Sequence, residues 1–99
     1  MNSYEIEETL LGKLIVEKEL YDKHCNVLHE DLFNNPFHKS VFIAIERQIE
    51  RGETVDILTL GKLIKGEKVV LKLSEITEEA YSFTEVKTCI AILTEEFQK

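Results

Sequence analysis

Ninety-nine residues, 43% hydrophobic and 31% charged, suit one soluble globular domain with a single core. Twelve basic against nineteen acidic side chains leave a formal charge of −7, which argues against a non-specific nucleic-acid surface, because binding by counterion release needs clustered Lys and Arg. Apolar runs such as Cys89 to Leu93 fall far short of a membrane span; Cys25 and Cys89, with no CxxC pair and no secretory leader after Met1, fit a reduced cytoplasmic chain with buried thiols.

Apolar spacing is helical nearly throughout, Pro36 is the only proline, and hairpin dipeptides such as Asn-Gly are absent. Ile6, Leu10 and Leu14 recur at helical intervals, Leu11 and Ile15 widen their stripe, and Asn2 with Glu5 matches a capping box, so a first helix is predicted over about residues 3–16. Gly12 sits inside it, where glycine costs roughly 1 kcal/mol relative to alanine; its presence implies that another backbone approaches closely. A second helix is expected from Lys18 to about Val27, with Leu20, Tyr21, His24 and Val27 on one side, followed by Leu28, Leu32 and Phe33 over the core and a turn at Asn34-Asn35.

Asn35 suits the N-cap of a third helix and Pro36 its first position, where the missing N–H is no loss. Phe37, Val41, Phe42, Ile45 and Ile49 form its expected buried face, and Gly52 stops it with Arg47 and Arg51 near the negative end of the dipole. Asp56 is a natural N-cap for a short fourth helix through Leu60, Leu63 and Ile64, stopped at Gly66. Val69-Val70-Leu71 reads as strand or helix; Leu73 and Ile76 continue a helical face and favour a short fifth helix. Ser82 and Glu85 match a capping box for a last helix of about fifteen residues. The expected fold is all-α, a compact bundle of about six helices.

The last helix carries Val86, Cys89, Ile90, Leu93 and Phe97 on one stripe, while Ala91 and Ile92 extend its apolar surface well around the cylinder. One stripe is enough for a surface helix, so the extra face points to burial on a second side, against the preceding helix or another subunit.

Chemical motifs fare poorly. Gly61 to Lys68 has the glycine spacing of a P-loop, but Glu67 stands where the phosphate-contacting lysine belongs and Lys68 replaces the Mg²⁺-binding hydroxyl; a helix end explains it better. His24, Cys25 and His29 are close in sequence but lack the paired cysteines and fourth ligand of a closed zinc site. His38, on the first turn of the third helix, is expected to bond a backbone group or carboxylate and lock the turn between helices two and three. The pairs Glu7-Glu8, Glu30-Asp31, Glu78-Glu79 and Glu95-Glu96 read as solvated helix faces, since adjacent carboxylates on a helix point about 100° apart. No catalytic, cofactor or metal residue is predicted.

The string Phe33-x-Asn35-Pro36-x-His38-Lys39-x-Val41-Phe42-x-Ala44-Ile45, then Gly52-x-x-Val55-Asp56-x-Leu58-Thr59-Leu60, resembles the N-terminal domain of DnaB-type bacterial replicative DNA helicases. Glu7-x-x-Leu10-Leu11-Gly12-x-Leu14-Ile15 resembles that family's first-helix signature, and Glu75 to Glu79 through Ser82, Val86 and Ile90 follows its last helical hairpin. Gly12, Phe33, Asn35, Pro36, His38, Gly52 and Asp56 carry the signature. Tyr81 stands where that hairpin's turn usually has proline, and Gly66-Glu67-Lys68 replaces a Gly-Gly-x-x-Tyr element, the departures of a divergent member.

The resemblance implies a non-catalytic helical domain that forms a collar on a hexameric ring, pairs with itself, and contacts primase and loader proteins. It implies a globular part over residues 1–66 and a helical hairpin over residues 67–99, with Val86, Ile90, Ile92 and Leu93 as the self-association face. ATP and Mg²⁺ would bind a separate RecA-like domain, and this domain would contact neither nucleic acid nor membrane. The chain, ending in mid-helix at Lys99, would be an excised domain or a stand-alone relic of one. A stand-alone adaptor or inhibitor mimicking this domain, and the helicase-binding domain of primase, are the alternatives.

Overall fold

The helix Ser3–Val16 (α1) is the element around which the others are arranged. From Ile6 onward it is buried almost all round, through Ile6, Glu7, Thr9, Leu10, Leu11, Gly12, Leu14 and Ile15, as befits a helix enclosed by neighbours rather than lying on a surface. In this computed structural model residues 2–97 are described. Met1, Gln98 and Lys99, and with them the ends of the expected 1–66 and 67–99 segments and the mid-helix ending at Lys99, lie outside the described residues.

The remaining helices are Glu19–His24 (α2), Pro36–Glu50 (α3), Ile57–Leu63 (α4), Val69–Glu78 (α5) and Val86–Phe97 (α6), with single 3-10 turns at Glu30–Leu32 and Glu79–Tyr81. No strand occurs among the described residues. The all-α bundle of six helices is as expected, including the helical choice at Val69-Val70-Leu71.

Local chemistry sets most of the boundaries. The Asn2 side chain accepts from the Glu5 N–H at 3.0 Å and starts α1. Asn35 Oδ1 accepts from the N–H groups of Phe37 and His38 at 2.9 and 3.1 Å, and Pro36 occupies the first turn of α3. Gly52 takes φ of +68° just past the end of α3, a conformation that favours glycine.

At α4 the Asp56 carboxylate accepts from the Thr59 N–H at 2.8 Å while the Asp56 N–H donates to Thr59 Oγ1 at 3.1 Å, a reciprocal box whose second member the sequence reading overlooked. Those backbone bonds, led by the one from Thr59, hold the Asp56 carboxyl below its ordinary range.

Three local expectations are corrected. α2 ends at His24, because residues 25–27 form a turn that leaves Val27 49% exposed and puts the Cys25 thiol in solvent, whereas Cys89 is buried. α4 ends at Leu63, before Gly66. The Ser82–Glu85 box is not formed: Ser82 Oγ accepts from the Thr84 N–H at 3.3 Å and the Glu85 carbonyl accepts the first α6 bonds; the end of the expected fifteen-residue helix lies outside the described residues.

The last two helices, in the segment expected to form a helical hairpin, pack on the first. α5 and α6 each lie against α1 rather than pairing chiefly with one another. Leu73, Ile76, Val86, Cys89 and Leu93 share one core with Ile6, Leu10, Leu14, Phe42 and Leu60. Closing over α1 takes these apolar side chains out of water.

Gly12 makes the approach workable. A Cβ there would collide with the Ile76 carbonyl oxygen and come within 3.0 Å of the Ala80 nitrogen, the close backbone approach the sequence implied. The next residue, Lys13, donates from its ammonium to the carbonyls of Ala80 and Ser82 at 3.1 and 2.9 Å, closing the C-terminal end of the 3-10 turn Glu79–Tyr81.

Candidate interaction surface

The signature residues are mostly interior. Phe33 is 1% exposed and stacks on Phe42 with centroids 5.2 Å apart. His38 does meet a carboxylate, and that carboxylate is Glu7 from α1: Nδ1 and Oε1 are 2.8 Å apart, and both side chains are 1% exposed. Glu7 also accepts from the backbone N–H of Asn34 at 3.0 Å and of Asn35 at 3.3 Å. One buried carboxylate therefore satisfies three donors and fixes the 34–35 turn to α1.

The sequence reading placed Glu7 on a solvated face with Glu8. Its true position was legible in the spacing, since Glu7, Leu11 and Leu14 fall on one side of a helix. Burial is partial at Glu8, where it raises the carboxyl's pKa while the charge of His38 pulls against it. Two turns further along α3, Tyr21 of α2 donates to Glu46 Oε2 at 3.1 Å; burial and that bond push its phenol up to about 12. Together these bonds make a rigid scaffold.

The expected self-association face is only partly at the surface. Val86, Ile90 and Leu93 are 5%, 6% and 1% exposed and belong to the core, because their stripe meets α1 and the turn Glu30–Leu32. Ile92 alone of the four points outward. The sequence reading missed two other exposed side chains, Tyr81 and Phe83 in the segment before α6, of which Phe83 is fully exposed. Both are large aromatics in the short connection between α5 and α6, the signal that could have marked them. Phe97, counted earlier in the buried stripe, is half exposed, with its ring edge-on to His29 at 5.4 Å.

An apolar groove that includes Tyr81 lies at the C-terminal end of α1. Ile15 and Val16, Val55, Ile57 and Leu58 from the start of α4, and Thr77 and Tyr81 from the end of α5 enclose an open groove of about 490 Å³. Val16, Leu58 and Tyr81 expose substantial apolar area along it, more than isolated surface side chains would need to. The two charged side chains lining it, Asp56 and Glu78, are both acidic.

This helical scaffold can be set beside known proteins. A family model described as the DnaB-like helicase N terminal domain matches residues 1–95. The chain belongs to that family. Among curated DnaB-family proteins, the chain is 29% identical over 98 residues to the replicative DNA helicase DnaB of Rhodothermus marinus, covering 93% of the chain and 10% of that protein. It is 29% identical over 63 residues to the DnaB of Rickettsia conorii, covering 64% of the chain and 13% of the relative. With the DnaB of Buchnera aphidicola it shares 28% identity over 65 residues, 65% of the chain and 14% of that helicase. The chain thus spans between a tenth and a seventh of the length of these relatives. No helix among the described residues is long and apolar enough to cross a membrane.

Proposed function

We propose that this domain works as an assembly and docking module of a replicative DNA helicase in the cytoplasm, associating with its own kind in the collar of the ring and receiving primase and the helicase loader. ATP and Mg²⁺ binding, hydrolysis and DNA translocation are assigned to the rest of such a helicase, and this domain performs no catalysis and makes no direct contact with nucleic acid. The observation that carries the reading is the outward display of Tyr81, Phe83 and Ile92 on a scaffold of this family whose core is already complete. Such aromatic and aliphatic groups anchor protein interfaces, and a stable pairing buries on the order of 1,000 Å² or more.

Sedimentation velocity over a range of concentrations tests it. The chain should self-associate, and Phe83→Asp with Ile92→Asp should shift it to monomer while its helical circular dichroism is unchanged. A wild-type chain that stays monomeric at the highest concentration reached would remove the assembly half of the reading.

A further inference from the structure

The groove at the C-terminal end of α1 differs in chemistry from the exposed side chains Phe83 and Ile92. Its floor is apolar and fixed by core residues: Ile15 is 6% exposed and Val55 is 4% exposed. Its rising walls are Val16 on α1, Leu58 on α4 and Tyr81 beyond α5. At its rim stand Asp56 and Glu78, one on each side. The Asp56 charge is secured by the cap it makes to Thr59. Lys18, whose charge Asp56 feels, lines a neighbouring depression with Asp22 and Glu53 rather than this groove.

That pattern selects an occupant. A second copy docked groove to groove about a two-fold axis would set Asp56 and Glu78 against the same groups of its partner, in a chain that already carries a formal charge of −7. Nucleic acid is repelled for the same reason. With three separate apolar walls and no exposed sheet edge among the described residues, the fitting shape is a helix presenting apolar side chains at i, i+3/i+4 and i+7. We propose that the groove between α1, α4 and the end of α5 seats a basic amphipathic helix of a partner protein, its apolar side chains packing on Val16, Leu58 and Tyr81 and its Lys or Arg side chains pairing with Asp56 and Glu78. This inference rests on the docking half of the proposed function and supplies the partner's chemistry.

The test uses two labelled designed helices with identical leucine spacing, one carrying lysine and the other glutamate on its polar face, titrated into the ¹⁵N-labelled chain. The lysine peptide should move the amides around Val16, Leu58 and Tyr81 and bind at least tenfold more tightly than the glutamate peptide. Leu58→Asp should weaken it by about tenfold or more. Asp56→Asn with Glu78→Gln, which keeps a capping side chain, should weaken it about fivefold, whereas Glu95→Gln with Glu96→Gln, which removes the same charge away from the groove, should leave it unchanged. Equal losses in the two double variants would mean attraction to bulk charge and would overturn the proposal. So would amide shifts centred elsewhere, or groove shifts produced by raising the chain's own concentration. Such a failure beside intact self-association leaves the assembly reading standing, and the converse result separates the two in the other direction.

Discussion

Replacing Gly12 by alanine sets two opposite effects against each other at one position. In an exposed helix the change would stabilise by about 1 kcal/mol, because alanine loses less backbone freedom than glycine on folding. Here the added methyl group runs into the Ile76 carbonyl oxygen and sits 3.0 Å from the Ala80 nitrogen and 3.3 Å from the Ile76 carbonyl carbon. All three are backbone atoms, so no rotamer change relieves the overlap, and α5 must move off α1.

Overpacking of this kind costs roughly 1–3 kcal/mol, and the rigidity of the obstacle argues for the upper end. The displacement also pulls the Ala80 and Ser82 carbonyls from Lys13 Nζ. Subtracting the propensity gain leaves a net loss of about 2 kcal/mol, a fall in Tm of about 8–16 °C for a domain of this size. Thermal unfolding followed by circular dichroism, with urea unfolding as a second measure, reads it directly. A variant with unchanged or higher Tm would show that α5 does not press on α1 at Gly12, and the packing argument would fall.

Other consequences are independent of this one. Glu7→Ala strands the N–H groups of Asn34 and Asn35 and the His38 ring in the interior, so urea unfolding should show a loss of about 3 kcal/mol or more; Glu7→Gln, which keeps an acceptor, should lose clearly less. Because the Asp56 carboxyl titrates below its ordinary 3.8 in the folded chain, it stabilises above 3.8, and that contribution disappears as the pH falls through its lowered folded value. Asp56→Asn should flatten the acid limb of the stability profile while leaving α4 capped. Ile90→Asp, at a buried position, should abolish cooperative unfolding, whereas Ile92→Asp should unfold like the wild type.

How much of this was legible in the sequence depended on the range over which each feature is determined. Asn35-Pro36, Gly52 and Asp56 act on groups within a few residues of themselves, and the structure places them as the local rules require. Gly12 announced a close neighbour through its position but could not say that the neighbour was the end of α5. His38 needed a carboxylate, yet Glu7 is 31 residues away, and only the tertiary arrangement of α1 and α3 joins them.

The spacing of α6 set Ala91 and Ile92 apart from the stripe of Val86, Cys89, Ile90 and Leu93, but did not reveal the division into a buried stripe and an outer Ile92. That division depends on where α6 crosses α1. The groove lay beyond the sequence's reach for a similar reason, since Val16, Leu58 and Tyr81 come from three separate elements.

The action proposed for this domain is the binding of proteins through exposed apolar surface. Isothermal titration of the purified chain with the primase and the loader from the same genome tests it most directly. Saturable binding to at least one of them, abolished by Leu58→Asp or by Phe83→Asp with Ile92→Asp in variants that retain wild-type Tm, is the predicted result. Absence of binding to both, or binding that none of these substitutions changes, would contradict the claim.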